Sequence, residues 1–112
     1  MSTSEKHILK FGGSSLKNQS FIEQSAQVVK DRIQTAQPFI VVSAIGGVTD
    51  SLIKISDEMT VDEAINQAKE LKEFHVQLFD NLVSQNDTTR NKLIELFDEL
   101  ESIFRDDNAD TD

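Results

Sequence analysis

A lysine beside bare backbone is what a phosphate group needs, and Lys10 stands in that setting. It follows the apolar pair Ile8–Leu9 and precedes Phe11, Gly12, Gly13, Ser14 and Ser15. A lysine inside an apolar strand is expensive to bury unless it meets an anion. At the carboxyl end of a parallel strand it points into the crevice where α/β proteins bind ligands. There its charge can neutralise a phosphoryl group in transit. The competing reading is a stem lying on apolar surface with its head in water. Gly12 and Gly13 let a ligand approach without Cβ atoms in the way, and exposed N–H groups there can hold phosphate oxygens. Their spacing is neither G-x-x-x-x-G-K-[ST] nor G-x-G-x-x-G. A plain tight turn between strand and helix is the alternative.

A second set of small and hydroxylic residues follows about thirty residues later: Ser43, Ala44, Gly46, Gly47, Thr49 and Asp50. Hydroxyls at Ser14, Ser15, Ser43 and Thr49 can donate to a phosphate or a substrate carboxylate. Turn and cap duty is the commoner fate of Ser and Thr at such places. His75 lies on the apolar face of a helical stretch, with no partner at metal-ligand spacing, and reads as a satisfied core histidine. His7 looks incidental. No metal-ligand cluster and no nucleophile triad assembles from the sequence.

The elements that must position these residues alternate. Lys6–Phe11 reads as a buried strand. A helix follows from near Ser20, where Ser20 and Glu23 form a capping-box pattern, with Ile22, Ala26, Val29 and Ile33 on one face. It stops before Pro38. Phe39–Val42 is a continuous apolar, β-branched run, typical of a strand buried on both faces. Thr49 or Asp50 then caps a short helix. This is a βαβ unit plus a helix, the signature of a parallel α/β sheet. The second half is helical. Thr60 and Glu63 form another capping box before Val61–Ser84, a span of roughly 36 Å. A polar break precedes a further helix with Leu93, Phe97, Leu100 and Phe104 on one face. The two read as an αα-hairpin. The acidic tail from residue 106 is expected to be disordered.

The chain's 112 residues suffice for one small domain. Its net charge of −9 is uneven. Residues 1–56 carry six Lys/Arg against four Asp/Glu, and residues 57–112 carry five against sixteen. The acidic half argues against nucleic-acid binding. No apolar run reaches membrane-spanning length and no secretory signal is visible. With no cysteine, the chain reads as cytoplasmic and free of thiolate chemistry.

Together, the stretches Leu9–Leu16 and Ile40–Asp50 resemble the two opening motifs of aspartate kinases, members of the amino-acid kinase superfamily. The family forms are close to K-F-G-G-[TS]-S and V-V-S-A-x-x-G-[VI]-T-[ND]. The acidic helical stretch through Arg105 looks most like the helical insertion of bifunctional aspartate kinase–homoserine dehydrogenases. The resemblance implies a partial amino-acid kinase fold, two parallel strands with helices over residues 1–58. A helical insertion over 59–105 and a tail over 106–112 follow. It implies phosphorylation of the β-carboxylate of L-aspartate by ATP with Mg2+, on the route to lysine, threonine and methionine. Lys10 would then be the catalytic cation, and Lys10, Phe11, Gly12, Gly13 and Ser14 the phosphate-binding stretch. Ser43, Gly47 and Thr49 would belong to the aspartate loop, with Gly46 and Gly47 keeping it open to ligand. No metal ligand is identified. A homo-oligomer is expected of a complete enzyme of this kind.

The chain also departs from the family. The substrate-binding glutamate of a [ST]-x-G-E-like segment is not found, and the catalytic aspartate and adenine-binding segment of the family lie further on. The chain is therefore expected to be the front of a kinase, with little or no activity by itself. Two other readings compete. One is a small acidic helical module that docks on another protein without catalysis. The other is a kinase of the same superfamily acting on carbamate, glutamate or a nucleoside monophosphate.

Overall fold

The computed structural model describes residues 5–110, with side chains through residue 106. The chain divides into two compact units, Met1–Thr49 and Asp50–Asp112. The first contains β1 (Lys6–Phe11), a single 3-10 turn (Gly13–Leu16), α1 (Gln19–Ile33) and β2 (Gln37–Val42). Helix α2 (Val48–Glu58) leads into α3 (Val61–Leu82) and α4 (Asp87–Asp110). The mixed α/β architecture is that expected of a partial amino-acid kinase fold: two parallel strands with helices.

In the first unit β1 and β2 pair in parallel, with Ile8 opposite Phe39, Lys10 opposite Val41 and Phe11 opposite Val42. Strand residues alternate between faces. His7, Leu9 and Phe11 are half-buried, while Lys6, Ile8 and Lys10 are exposed. Helix α1 packs on the half-buried side, where Arg32 Nη1 reaches His7 Nδ1 at 3.1 Å. Ala36 and Leu16 are the buried apolar residues of this unit. The expectation that Phe39–Val42 is buried on both faces is corrected. Phe39 is 48% exposed and Val42 61%. Among the described residues there are only two strands, so the run that would fill the middle of a wide sheet here borders open edges. Pro38, which lacks an N–H, is accommodated within such an edge strand.

Capping also differs at α1. Asn18, not Ser20, is the N-cap: its side chain accepts a hydrogen bond from the Phe21 N–H at 3.1 Å. Ser20 lies inside the first turn, and its hydroxyl accepts from the Gln24 amide. Thr49 and Asp50 likewise fall within the first turn of α2 rather than before it.

The second unit is helical. Thr60 and Glu63 close the expected capping box at the start of α3. Ala64, Ala68, Leu71 and Leu78 are buried along that helix, together with Ile55 of α2. Small residues at Ala64 and Ala68 allow close helix approach, and Ala68 is 0% exposed. Lys72 pairs with Asp98 at 2.8 Å, and Arg90 with Asp80 at 2.8 Å, tying α3 to α4. Gln85, at φ 58°, turns the chain between them. Asn86 then accepts from the Thr89 N–H. Helix α4 continues through 106–110, the first part of the expected tail, while 111–112 lie outside the described residues. No helix among the described residues is long and apolar enough to cross a membrane.

Candidate phosphate-binding site

Strand β1 delivers Lys10 to the sheet face opposite α1, one residue before the strand ends. The side chain is exposed and makes no ion pair among the described residues. Both readings of Lys10, a cation awaiting a phosphoryl group and a solvated lysine head, are compatible with this exposure. Its head is open to water and to any anion that arrives.

The two glycines after β1 are not demanded by the turn itself. Gly12 has φ −87° and ψ −176°, a conformation any residue adopts. A methyl group there would meet nothing within 4 Å, and one on Gly13 would meet only Gly46 Cα at 3.9 Å. What the missing side chains leave is clearance. The Ser15 N–H returns to the Gly12 carbonyl at 3.1 Å, whereas the N–H groups of Gly13 and Ser14 reach no backbone acceptor among the described residues. Such unsatisfied donors at the start of a helical turn are the groups that hold anions. The Ser25 hydroxyl donates to the Ser15 carbonyl at 2.9 Å and pins the turn to α1. The Ser14 side chain is exposed.

The second loop hangs from the first. The Ser43 N–H donates to the Phe11 carbonyl at 3.0 Å, continuing the ladder by one residue. The Gly46 N–H reaches the Leu16 carbonyl at 3.4 Å. Gly47 has φ +90°, in the region that favours glycine, with open space around it. Gly46 is where the two loops approach most closely. A methyl group there would stand 2.9 Å from Lys17 Cβ and 3.1 Å from both Lys17 Cα and the Gly13 carbonyl oxygen. The Ser43 hydroxyl donates to the Ala44 carbonyl at 2.7 Å, so part of its capacity is engaged within the loop. Thr49 is exposed in the first turn of α2. The structure thus brings the Gly12–Ser14 turn and the Ser43–Gly47 loop into contact.

The histidines stand apart from this site. His75 Nδ1–H donates to the Leu71 carbonyl at 2.7 Å, and the ring packs against Phe74 and Phe97. It is a satisfied packing residue. His7 is less incidental than its place in the sequence suggests, since it sits between Arg32 and Glu5. Arg32 donates to Nδ1, which puts the ring proton on Nε2, 3.2 Å from the Glu5 carboxylate. Residues 25 positions apart leave no signal of this contact in the sequence. Lys17 was also missed. Its ammonium lies 4.4 Å from the centre of the Phe21 ring.

Comparison with curated proteins and with solved structures finds no match for the chain. The family model of the amino acid kinase family, a family of phosphotransferases, does match, over residues 5–102. That span takes in both loops, α3 and most of α4, and the chain belongs to the amino acid kinase family.

Proposed function

We propose that the chain carries the phosphate-binding front of an aspartate kinase. In the reaction, a β-carboxylate oxygen of L-aspartate attacks the γ-phosphorus of ATP. The bond from that phosphorus to the bridging oxygen breaks, leaving ADP and 4-phospho-L-aspartate. Such a transfer needs positioning and charge neutralisation more than covalent chemistry. Lys10 supplies the positive charge. Gly12 gives clearance for the phosphates, and the N–H groups of Gly13 and Ser14 donate to their oxygens, with Phe11 fixing the strand end beneath them. Ser43, Gly47 and Thr49 form the loop assigned to aspartate. The threonine-containing loop favours aspartate over carbamate, glutamate or a nucleoside monophosphate. Among the described residues no three His, Cys, Asp or Glu side chains gather. Mg2+ would arrive on the ATP phosphates and share their charge, and the cation this chain itself offers them is Lys10.

The observation that carries this reading is an exposed Lys10, without an ion pair among the described residues, beside steric clearance at Gly12 on the same strand end. Calorimetric titration of the 112-residue chain with ATP tests it. ATP binds, and Lys10→Met weakens binding by about ten- to a hundredfold, the value of a hydrogen bond to a charged group. Helical circular dichroism stays unchanged. Equal binding by the variant removes Lys10 from the site. Hydroxylamine trapping of acyl phosphate with aspartate or glutamate then identifies the acceptor. We expect little turnover from these residues alone, since the glutamate and aspartate that complete the family's site are not found in the sequence.

A further inference from the structure

Resting on the reading above, we infer that Gly46 and Lys17 form a steric latch that couples the two loops, so that nucleotide and acceptor amino acid bind cooperatively. Loop 43–47 is attached at both ends to the phosphate-binding turn, by Ser43 N–H to the Phe11 carbonyl and by Gly46 N–H to the Leu16 carbonyl. Between these bonds the Gly46 backbone lies so close to the Lys17 stem and the Gly13 carbonyl that not even a methyl group fits. Lys17 cannot yield freely. Its ammonium is held over the Phe21 ring, and the next residue, Asn18, caps α1. The crowding atoms are the Cα and Cβ of Lys17, which move only with their backbone, so a shift of Gly46 is passed to the turn that Lys17 ends. The carbonyl that crowds the Gly46 position belongs to Gly13, whose own N–H reaches no backbone acceptor among the described residues and is the donor proposed above for the phosphate. A ligand that orders either loop therefore orders the other, and the second ligand meets a loop already in place. Neither Gly46 nor Lys17 is given a contact to either ligand in the proposed site. They are positioning residues.

The test measures the MgATP dissociation constant of the 112-residue chain with and without saturating L-aspartate. In the wild-type chain aspartate tightens ATP binding by about fivefold or more, the lower end of typical coupling between sites. In Gly46→Ala the ratio falls towards one while each ligand still binds. Adding Lys17→Gly, which removes the nearest clashing atom, restores part of it, a non-additivity that general destabilisation does not produce. Hydrogen exchange gives a readout independent of the amino acid. MgATP alone slows exchange of the residue-46 amide in the wild-type chain and not in Gly46→Ala. If Gly46→Ala fails to fold, Lys17→Gly alone, which introduces no clash, is expected to lower the ratio. ATP binding with no coupling in the wild-type chain, or coupling undiminished in the variants, overturns the latch and leaves the kinase reading standing. No ATP binding at all overturns both.

Discussion

Gly12 and Gly47 are the same residue type in neighbouring loops, yet their backbones differ. Gly47, at φ +90°, is where the backbone itself needs glycine. Gly47→Ala is expected to cost about 1–2 kcal/mol through the left-handed penalty, seen as a lower thermal midpoint. Gly12 has an ordinary φ and empty space beside it. Gly12→Ala is expected to leave stability within about 0.5 kcal/mol and, on the proposed function, to weaken ATP binding, because the new methyl group would enter the space proposed for the phosphates. Unfolding and titration of the two variants side by side check this. A Gly12→Ala chain that binds ATP normally would return the glycine pair to plain turn duty. From the sequence, both positions read as glycines that leave room for a ligand, because φ is not written in the letters. Lys10 was legible as a strand-end lysine, but not its exposure, which depends on what covers that face.

Among the elements, helix starts show which signals are local enough to read. The Thr60–Glu63 box joins two residues three apart, and the structure contains it as expected: Thr60 N–H to Glu63 Oε1 at 3.0 Å, Glu63 N–H to Thr60 Oγ1 at 3.3 Å. At α1 two candidate caps stand in line, and only geometry chooses Asn18 over Ser20. Asn18→Ala is therefore expected to destabilise the first unit by about 1 kcal/mol, and Ser20→Ala to do nearly nothing. The box also predicts a pH response. The Thr60 backbone N–H, then its side chain, holds the Glu63 carboxyl below its ordinary value. A depressed carboxylate stabilises the fold above its unfolded pKa, and that contribution is lost as pH falls through the folded value. Asp80 behaves alike, lowered by its hydrogen bond from Arg90. Helicity should accordingly fall on acidification through and below the ordinary carboxylate range. Thr60→Ala and Arg90→Gln, followed by circular dichroism, should flatten that limb. Acid relief of repulsion in this acidic unit works the other way, so the difference between wild type and variant is the quantity to read.

For the whole molecule, the strands were legible as strands, but their surroundings were not, because burial is a property of neighbours that a local pattern does not name. Parallel sheets are ordinarily covered on both faces. Here Ile8 is 76% exposed, and Phe39 and Val41 stand beside it on the same face, each about half exposed. Each strand also keeps an unpaired edge among the described residues. Contiguous apolar surface of this kind and open strand edges are sticky. The 112-residue chain should therefore bind an apolar dye and associate as its concentration rises. Charge offers a rival cause, since residues 1–49 carry five Lys/Arg against three Asp/Glu and residues 50–112 carry six against seventeen. Salt separates the two. Association through opposite charges weakens at high ionic strength, where screening shortens to about 3 Å at 1 M. Association through the apolar face persists there, and the double substitution Ile8→Thr with Phe39→Thr lowers both dye binding and association while keeping residues that strands accept. Sedimentation at low and high salt measures this. A chain that stays monomeric throughout, or whose association vanishes with salt and ignores the substitutions, would mean that the exposed face is not what draws copies together.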